Sequence, residues 1–274
     1  MPTFDTPEPI SVAVEFGVGD LQVAASDRVD TVVEVEPNDP SKPSDVAAAA
    51  KTTVEYGDGV LRIRAPKGWR RYSFRGGAES IVARIQLPTG SNLRAEAGLA
   101  HLRCSGILGD CRYRAGAGDI TIEQISGDTE LTTGSGAVAV DGIGGSAIVK
   151  NGNGDTWIGE VVGDLQVKAS NGKVAVDHAH AAVTARTANG DIHLDEVAGG
   201  AVVAETACGR VDIAVRSGVA AWLDLHTGFG NVRNQLDVGA RPGPTERTVE
   251  VRARSACGDI AVRRADVGSG QGVA

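Results

Sequence analysis

Six aspartates between residues 110 and 191 directly follow a glycine, which makes them the most regularly spaced side chains able to bind an ion. They are Asp110, Asp119, Asp128, Asp155, Asp164 and Asp191. Nonapeptide β-rolls bind calcium through a GGxGxD pattern that surrounds the ion with oxygens from adjacent turns. That spacing does not occur here, and Ala137 and Lys173 interrupt the series. We therefore expect each aspartate to hydrogen-bond within its own turn, and we expect neither calcium nor a cofactor.

Three histidines are a second candidate for metal binding. His178 and His180 share one turn, and His193 faces outward from the next coil. Neutral imidazole is a common zinc ligand, but no cysteine and no second spaced pair accompanies these residues. The sequence favours solvent-exposed histidines without a metal.

A basic and aromatic loop at residues 67–75 is a candidate interaction surface through Trp69, Arg70, Arg71 and Tyr72. Such a loop can grip phosphates and stack bases, or dock on an anionic membrane. The alternative is a loop folded over a flank of the protein, with its aromatic rings covering the core. The formal net charge of −8 favours the second interpretation, and we expect no nucleic acid partner.

The four cysteines do not form a CxxC pair. Cys104 and Cys111 occupy inward strand positions, whereas Cys208 and Cys257 lie in matching Ala-Cys-Gly turns with Phe229 in the corresponding turn between them. This order predicts that Cys208 and Cys257 are two rungs apart, roughly 9–10 Å, which is too far for a disulfide. We expect free thiols.

Catalytic patterns are missing from the sequence: it contains no Gly-x-Ser-x-Gly, no phosphate-binding loop and no His-Glu-x-x-His. Long β-helices can align carboxylates on one face for sugar chemistry. The outward carboxylates here, such as Glu130 and Asp212, are sparse and belong to different faces. The sequence therefore predicts a protein that is not an enzyme.

The elements that position these residues come from a repetitive stretch from about Gly98 to Gly209, in which glycines recur every nine residues between Gly109 and Gly199 and Ala181 takes one glycine place. The second and fourth residues after most of these glycines are apolar, and the residue between them is often small or polar. Clear cases are Ile120/Ile122, Val138/Val140, Leu165/Val167, Val174/Val176 and Ile192/Leu194. This alternation, bounded by glycine, predicts short half-buried strands.

Two turn types alternate along the repeat, so that the true period is eighteen residues. One type carries Asn-Gly or a small residue before glycine, and the other has an apolar residue two positions before glycine. We predict an all-β, parallel β-solenoid of the β-helix or β-roll type with two short strands per coil, and right-handed crossovers. Asn153, Asn171 and Asn189 would stack as an amide ladder. An antiparallel meander is a minor alternative, and a three-sided coil fits the rhythm poorly.

The outward positions define two faces of the predicted solenoid. One reads Thr121, Ala139, Trp157, Ala175 and His193, and the other reads Arg112, Glu130, Ile148, Gln166, Thr184 and Val202. Trp157 and His193 are candidate interaction residues, because an exposed apolar strip often marks an interface. Alternatively, the N-terminal segment covers this strip.

Four regions follow along the chain. Residues 1–97 form a β-rich capping segment continuous with the solenoid, 98–216 the regular repeat, 217–265 irregular C-terminal coils and a cap, and 266–274 a disordered tail. The Gly-Asp pattern at residues 17–23 suggests that coiling begins there. Ser44 is expected to cap a short helix at residues 45–50.

Composition limits the cellular setting. No apolar run is long enough for a transmembrane helix, and the N-terminus lacks the basic and apolar regions of a secretory signal. The sequence therefore predicts a cytoplasmic protein.

The recurring Gly-Asp-apolar-x-apolar units and Asn-Gly-Asp turns resemble a bacterial family of unknown function, the putative-adhesin or β-strand-repeat family, and its actinobacterial, signal-less branch. The resemblance covers most of the chain. It implies a β-solenoid without a known enzyme activity or an agreed catalytic motif.

The expected function is a non-enzymatic scaffold or interaction module that binds a protein partner or self-associates through a face or an end. The alternative is a ligand- or polysaccharide-binding β-helix, or a carbohydrate-active one, that uses the exposed sheet face.

Overall fold

A computed structural model describes residues 2–65, 79–236 and 248–265. The protein is an all-β, parallel β-solenoid with one short helix in the described part of the chain. Two compact units divide it: the first contains residues 1–145 and 149–152, and the second contains residues 146–148 and 153–274.

The first unit contains eleven strands and the helix. They are β1 (Thr3–Asp5), β2 (Ser11–Ser26), β3 (Asp30–Pro37), α1 (Pro43–Lys51), β4 (Thr53–Gly57), β5 (Val60–Arg64), β6 (Ser80–Pro88), β7 (Asn92–Leu108), β8 (Cys111–Ala117), β9 (Ile120–Ile125), β10 (Thr129–Thr133) and β11 (Val138–Ile143). β12 (Ala147–Asn153) contributes residues to both units.

The second unit continues the same alternation of short strands. They are β13 (Thr156–Val161), β14 (Leu165–Asn171), β15 (Val174–Ala179), β16 (Val183–Asn189), β17 (Ile192–Val197), β18 (Gly200–Cys208), β19 (Val211–Val215), β20 (Ala220–Phe229), β21 (Val232–Asn234), β22 (Thr248–Cys257) and β23 (Ile260–Arg264).

Residues eighteen apart are parallel neighbours in both units. Ile120 pairs with Val138 between β9 and β11, and Val174 pairs with Ile192 between β15 and β17. Odd-numbered and even-numbered strands therefore build two faces. This register confirms the two-strand coil and rules out the antiparallel meander for these strands.

The core lies between the two faces and is filled by the predicted inward pairs. Ile120, Ile122, Val174 and Val176 are at most 1% exposed. The apolar residue two positions before the alternate glycines is also buried, as at Val161. It closes one edge of the core, as the sequence predicts.

Glycine is required in the other turn by a close backbone approach. Gly172 has φ +128°, and a Cβ on it would lie 2.2 Å from the carbonyl oxygen of Gly154 in the neighbouring rung. A side chain there would push the rungs apart, so glycine is needed to keep them at hydrogen-bonding distance.

The carbonyl oxygens beside these turns are paired with polar side chains that point into the core. The contacts of 2.8–3.2 Å run from Tyr113 to Ala100, Thr133 to Gly118, Asn151 to Gly136, Thr206 to Gly190, Thr227 to Gly258 and Ser255 to Gly209. Each side chain donates to a carbonyl oxygen on a neighbouring rung. The buried polar column thus stabilises the stack, because an unpaired buried carbonyl is costly.

The aspartates after glycine bond to the next coil, so the expectation that each serves its own turn is wrong. Their Oδ1 atoms accept backbone N–H groups at 2.7–3.2 Å: Asp110 from Asp128, Asp119 from Ala137, Asp155 from Lys173, Asp164 from Ala182, Asp191 from Arg210 and Asp259 from Asn231. A parallel stack places the matching turn within reach, which a single turn in sequence does not reveal.

One register prediction is also wrong. Val202 lies inward and fully buried, and Val203 takes the outward place beside Thr184. The cause is an extra residue at the turn before β18, where Gly200 has φ +79°. A one-residue shift moves every side chain to the other face.

The outer end of the first unit is closed by strands out of sequence order. β2 forms one full coil, paired along its length with β7 on one side and with β5 and β6 on the other. β4 then pairs antiparallel with β5, and β3 antiparallel with β6. The segment around residue 17 therefore does belong to a coil, as predicted. However, β5 and β6, which come later in the sequence, form the coil at the end of the stack.

Helix α1 packs beside β3 and β6, and its N-terminus differs from the prediction. The residue before the helix is Lys42, with no side-chain cap, and Pro43 opens the first turn. Ser44 therefore lies inside the helix. Asp45 is buried and its carboxylate accepts the backbone N–H of Ser80 at 3.2 Å, which ties the helix to the start of β6.

Candidate functional site

The outer end of the second unit is formed by β20 and β21. β22 and β23 come last in sequence, yet they lie between the coil of β18 and β19 and the coil of β20 and β21. Among the described strands, β20 pairs with β22 alone and β21 with β23 alone. Within the described residues, the other edge of the ten-residue strand β20 has no partner strand, and N–H and C=O groups at such an edge can template another strand.

Apolar side chains are exposed along this terminal coil. Ala221, Leu223 and Leu225 point inward but remain partly exposed. Trp222 is 58% exposed and Phe229 is 81% exposed. Since no described rung covers them, these residues form an apolar margin beside the free edge; we call this margin and edge the β20 end.

The charged groups of the β20 end lie at its centre. Asp224 faces outward, 3.3 Å from Arg252 and 3.8 Å from Arg254, which belong to β22. His226 is exposed two positions further along the strand. The centre of the edge thus carries an acidic and an imidazole side chain on the same face.

The outer coil of the first unit provides a contrast. Its inward residues Leu61, Ile63 and Ile85 are at most 1% exposed, because β3 and β4 cover that coil. Closing an end with antiparallel strands is a general means of hiding a sheet edge. The β20 end lacks such a cover within residues 2–65, 79–236 and 248–265.

The predicted ladder residue Trp157 is 37% exposed. Its indole Nε1 donates to Asp177, at 3.1 Å from Oδ1 and 3.2 Å from Oδ2. Partial burial raises the pKa of Asp177, and the indole N–H opposes that shift. These hydrogen bonds hold the indole ring of Trp157 against β15, the neighbouring strand on the same face.

His193 lies on the same outward face, between Ala175 and Asp212. Its Nδ1 is 3.5 Å from Asp212 Oδ2, and Arg210 Nε is 2.8 Å from the same oxygen. The face therefore continues from Trp157 as a mixed polar surface and not as an apolar strip.

The family model described as Toastrack DUF4097 matches residues 12–268. The chain belongs to the Toastrack DUF4097 family. Similar solved structures include a putative adhesin from Bacteroides fragilis NCTC 9343, with 13% identity, 96% of both chains covered and a TM-score of 0.41. Another from Parabacteroides merdae ATCC 43184 has 12% identity, covers 97% of this chain and 95% of that one, and has a TM-score of 0.42. No curated protein matches the sequence.

The remaining candidates in this Toastrack DUF4097 chain are the basic and aromatic loop and the possible metal ligands. Trp69, Arg70, Arg71 and Tyr72 lie outside the described residues. His180 Nε2 is 2.8 Å from Glu160 Oε1. The described residues contain no cluster of three or more histidine, cysteine or acidic side chains able to hold a metal, and no helix among them could span a membrane.

The carboxylates considered for sugar chemistry are held in ion pairs. Glu130 is half-buried and lies 2.8 Å from Arg112, 3.7 Å from Arg114 and 3.9 Å from Lys150. Three cationic side chains therefore surround this carboxylate on the outward face.

The predicted separation of Cys208 and Cys257 is wrong. Cys208 and Cys257 are direct partners on adjacent strands, and Phe229 lies beyond Cys257. The coil carrying Cys257 follows in sequence but lies inside the coil carrying Phe229, which sequence spacing alone does not reveal. Cys104 and Cys111 are buried as expected, and burial raises the pKa of the Cys111 thiol to about 12.

The sequence did not identify Trp222 and Phe229 as candidate site residues, although they are the largest exposed side chains of the β20 end. The available signal was the presence of two large aromatic residues in one segment of a chain that contains only 4% aromatic residues. Their exposure could not be read from spacing, because it depends on which coil is outermost.

Proposed function

We propose that this protein is a non-enzymatic interaction module that self-associates by joining the β20 ends of two copies. The observation that supports this proposal is the edge of β20 that no other described strand pairs with, beside partly exposed Leu223 and Leu225. Edge strands with exposed apolar margins readily pair with another chain.

The residues of β20 favour antiparallel pairing with a second copy of itself. If two strands meet about a twofold axis at Leu225, Asp224 of each copy lies opposite His226 of the other. Trp222 lies opposite Gly228, where an aromatic ring can cover the glycine backbone. Opposite charges and aromatic residues across strands each contribute roughly 0.2–1 kcal/mol. A twofold, self-complementary interface is also the commonest type among soluble oligomers.

Sedimentation velocity over a range of protein concentrations tests the proposal. The wild type should shift towards twice the monomer mass of 28.1 kDa as the concentration rises. Trp222→Lys should remain a monomer because it places a charge in the apolar margin. His226→Asp should do the same because it places like charges opposite each other.

Val162→Lys is the matched control, since Val162 is 52% exposed in the same unit but lies in a turn away from β20. It should dimerise like the wild type. A wild-type protein that stays monomeric at every concentration, or a His226→Asp variant that dimerises normally, contradicts self-association through this edge.

A further inference from the structure

Two exposed cysteines lie side by side at the ends of neighbouring parallel strands. Cys208 ends β18 and Cys257 ends β22, and the two residues are partners in the register of these strands. Adjacent strands lie about 4.7–4.9 Å apart. This spacing falls within the Cα separations of about 4.4–6.8 Å that a disulfide spans.

Side chains in this column contact one another from rung to rung. Asn171 Nδ2 donates to Asn153 Oδ1 at 2.7 Å, and Asn189 Nδ2 donates to Asn171 Oδ1 at 2.9 Å. Cys208 is the next member after Asn189, and Cys257 follows it. The two thiols therefore continue a ladder whose preceding members already touch.

A backbone hydrogen bond also holds the two strand ends next to each other. Gly209 N donates to Cys257 O at 2.9 Å, so the residue after the first cysteine is bonded to the second cysteine. Both cysteines occupy the last position of their strands, directly before a turn. A small rotation at the strand ends can bring the Cβ atoms closer without breaking the central ladder.

We propose that Cys208 and Cys257 form a reversible disulfide that clamps the last coil of the chain to the regular coils. A small-molecule disulfide is the oxidant. One cysteine thiolate attacks it, forming a mixed disulfide and releasing one thiol. The second thiolate then displaces the other half as a second thiol, so that the protein loses two protons and two electrons in forming its S–S bond.

The closed loop would contain β19, β20, β21 and nearly all of β22. A disulfide that closes a long loop stabilises a protein mainly by restricting its unfolded chain. Since β22 and β23 are inserted between two coils that precede them in sequence, the bond would lock this order. The inference does not depend on self-association, because both cysteines belong to one chain.

Oxidation by oxidised glutathione, followed by alkylation and peptide mass mapping, tests the bond. Under native conditions we expect Cys208 and Cys257 to be linked within a monomer, as seen on a non-reducing gel. Cys104 and Cys111 should remain reduced because they are buried. Thermal melting should rise by at least about 5 °C on oxidation and return on reduction.

Two variants control for other effects. Cys208→Ser should retain one glutathione on Cys257 and lose the rise in melting temperature, while its reduced form melts like the reduced wild type. Cys104→Ser combined with Cys111→Ser should retain the link. Two separate glutathione adducts in the wild type, a disulfide between two chains, or a melting temperature unaffected by the link would each overturn the proposal.

Discussion

At the scale of single residues, the buried polar column shows how the stack satisfies its own backbone. Tyr113 is fully buried and its hydroxyl donates to Ala100 O at 2.9 Å. In later coils Thr133 or Thr206 has this role at a position three before the glycine. Ala115 occupies that position in the coil of Tyr113, so the longer tyrosine supplies the missing hydroxyl from two residues upstream.

Replacing Tyr113 by phenylalanine should lower the free energy of unfolding by about 1–3 kcal/mol, because it leaves a buried carbonyl unpaired. Denaturant unfolding followed by circular dichroism measures the change. Tyr56→Phe is the control, since Tyr56 is only half-buried and its ring lies against that of Phe4. Equal stability of Tyr113→Phe and the wild type would show that the hydrogen bond adds nothing.

Asp177 gives a pH dependence of known sign. Burial raises its pKa above the ordinary value of 3.8, so the folded state binds the proton more tightly than the unfolded state. Ionised Asp177 therefore reduces stability above its folded pKa, and this reduction disappears as the pH falls to the unfolded value.

Asp177→Asn should melt at a higher temperature than the wild type at about pH 7, and the difference should shrink towards about pH 4. Differential scanning calorimetry of both proteins across this range measures it. Trp157→Phe removes the N–H that opposes the shift, so it should increase the pH dependence of an otherwise native chain. A difference that stays constant with pH contradicts the assigned burial effect.

The residue types that fill the core were predictable from the sequence, whereas several hydrogen-bond partners were not. Alternation around each glycine identified Val174 and Val176 as inward residues. The hydrogen bond from Lys173 N to Asp155 Oδ1 joins two coils, whereas local turn chemistry favours an interaction within one coil. Contacts between rungs follow only when the stacking register is known.

At the scale of the strand, the eighteen-residue period predicted the two faces correctly until the turn at residues 198–200. There an extra residue shifts Val202 inward. The glycine pair at Gly199 and Gly200 permits two registers in sequence. The burial of Val202 and Ala204 selects one of them.

Val174→Asp tests the inward assignment of β15. Val174 is 0% exposed, and an unpaired buried carboxylate should lower the free energy of unfolding by more than about 4 kcal/mol. The neighbouring Ala175→Asp points outward beside His193 and should change it by less than about 1 kcal/mol. Denaturant unfolding compares the two variants, and similar stabilities would contradict the alternation.

At the scale of the whole chain, the first and last coils in sequence are each covered by another segment. β2 lies inside β5 and β6, and β22 and β23 lie inside β20 and β21. Sequence periodicity predicts neighbours eighteen residues apart, but it contains no information on which coil an irregular segment skips. The order at both ends therefore could not be predicted from the repeat.

One inward residue of the outer coil is larger than its counterparts on the three preceding rungs. Ala185, Ala204 and Ala253 stack on successive rungs and are 0% exposed. Leu225 occupies the next position and is partly exposed. We expect a leucine in the middle of this alanine column to overfill the core, which favours the open end for its coil.

Two deletions test this order. Removing residues 218–235 takes away the outer coil and leaves the alanine column intact, so it should lower the melting temperature by less than about 5 °C and leave β22 protected from hydrogen exchange. Ending the chain at residue 247 removes β22 and β23, the described pairing partners of β20 and β21. It should lower the melting temperature by more than about 10 °C and leave β20 unprotected. If β20 is still protected in the shorter chain, Leu225 has been accommodated over Ala204, and packing of the alanine column does not determine the coil order.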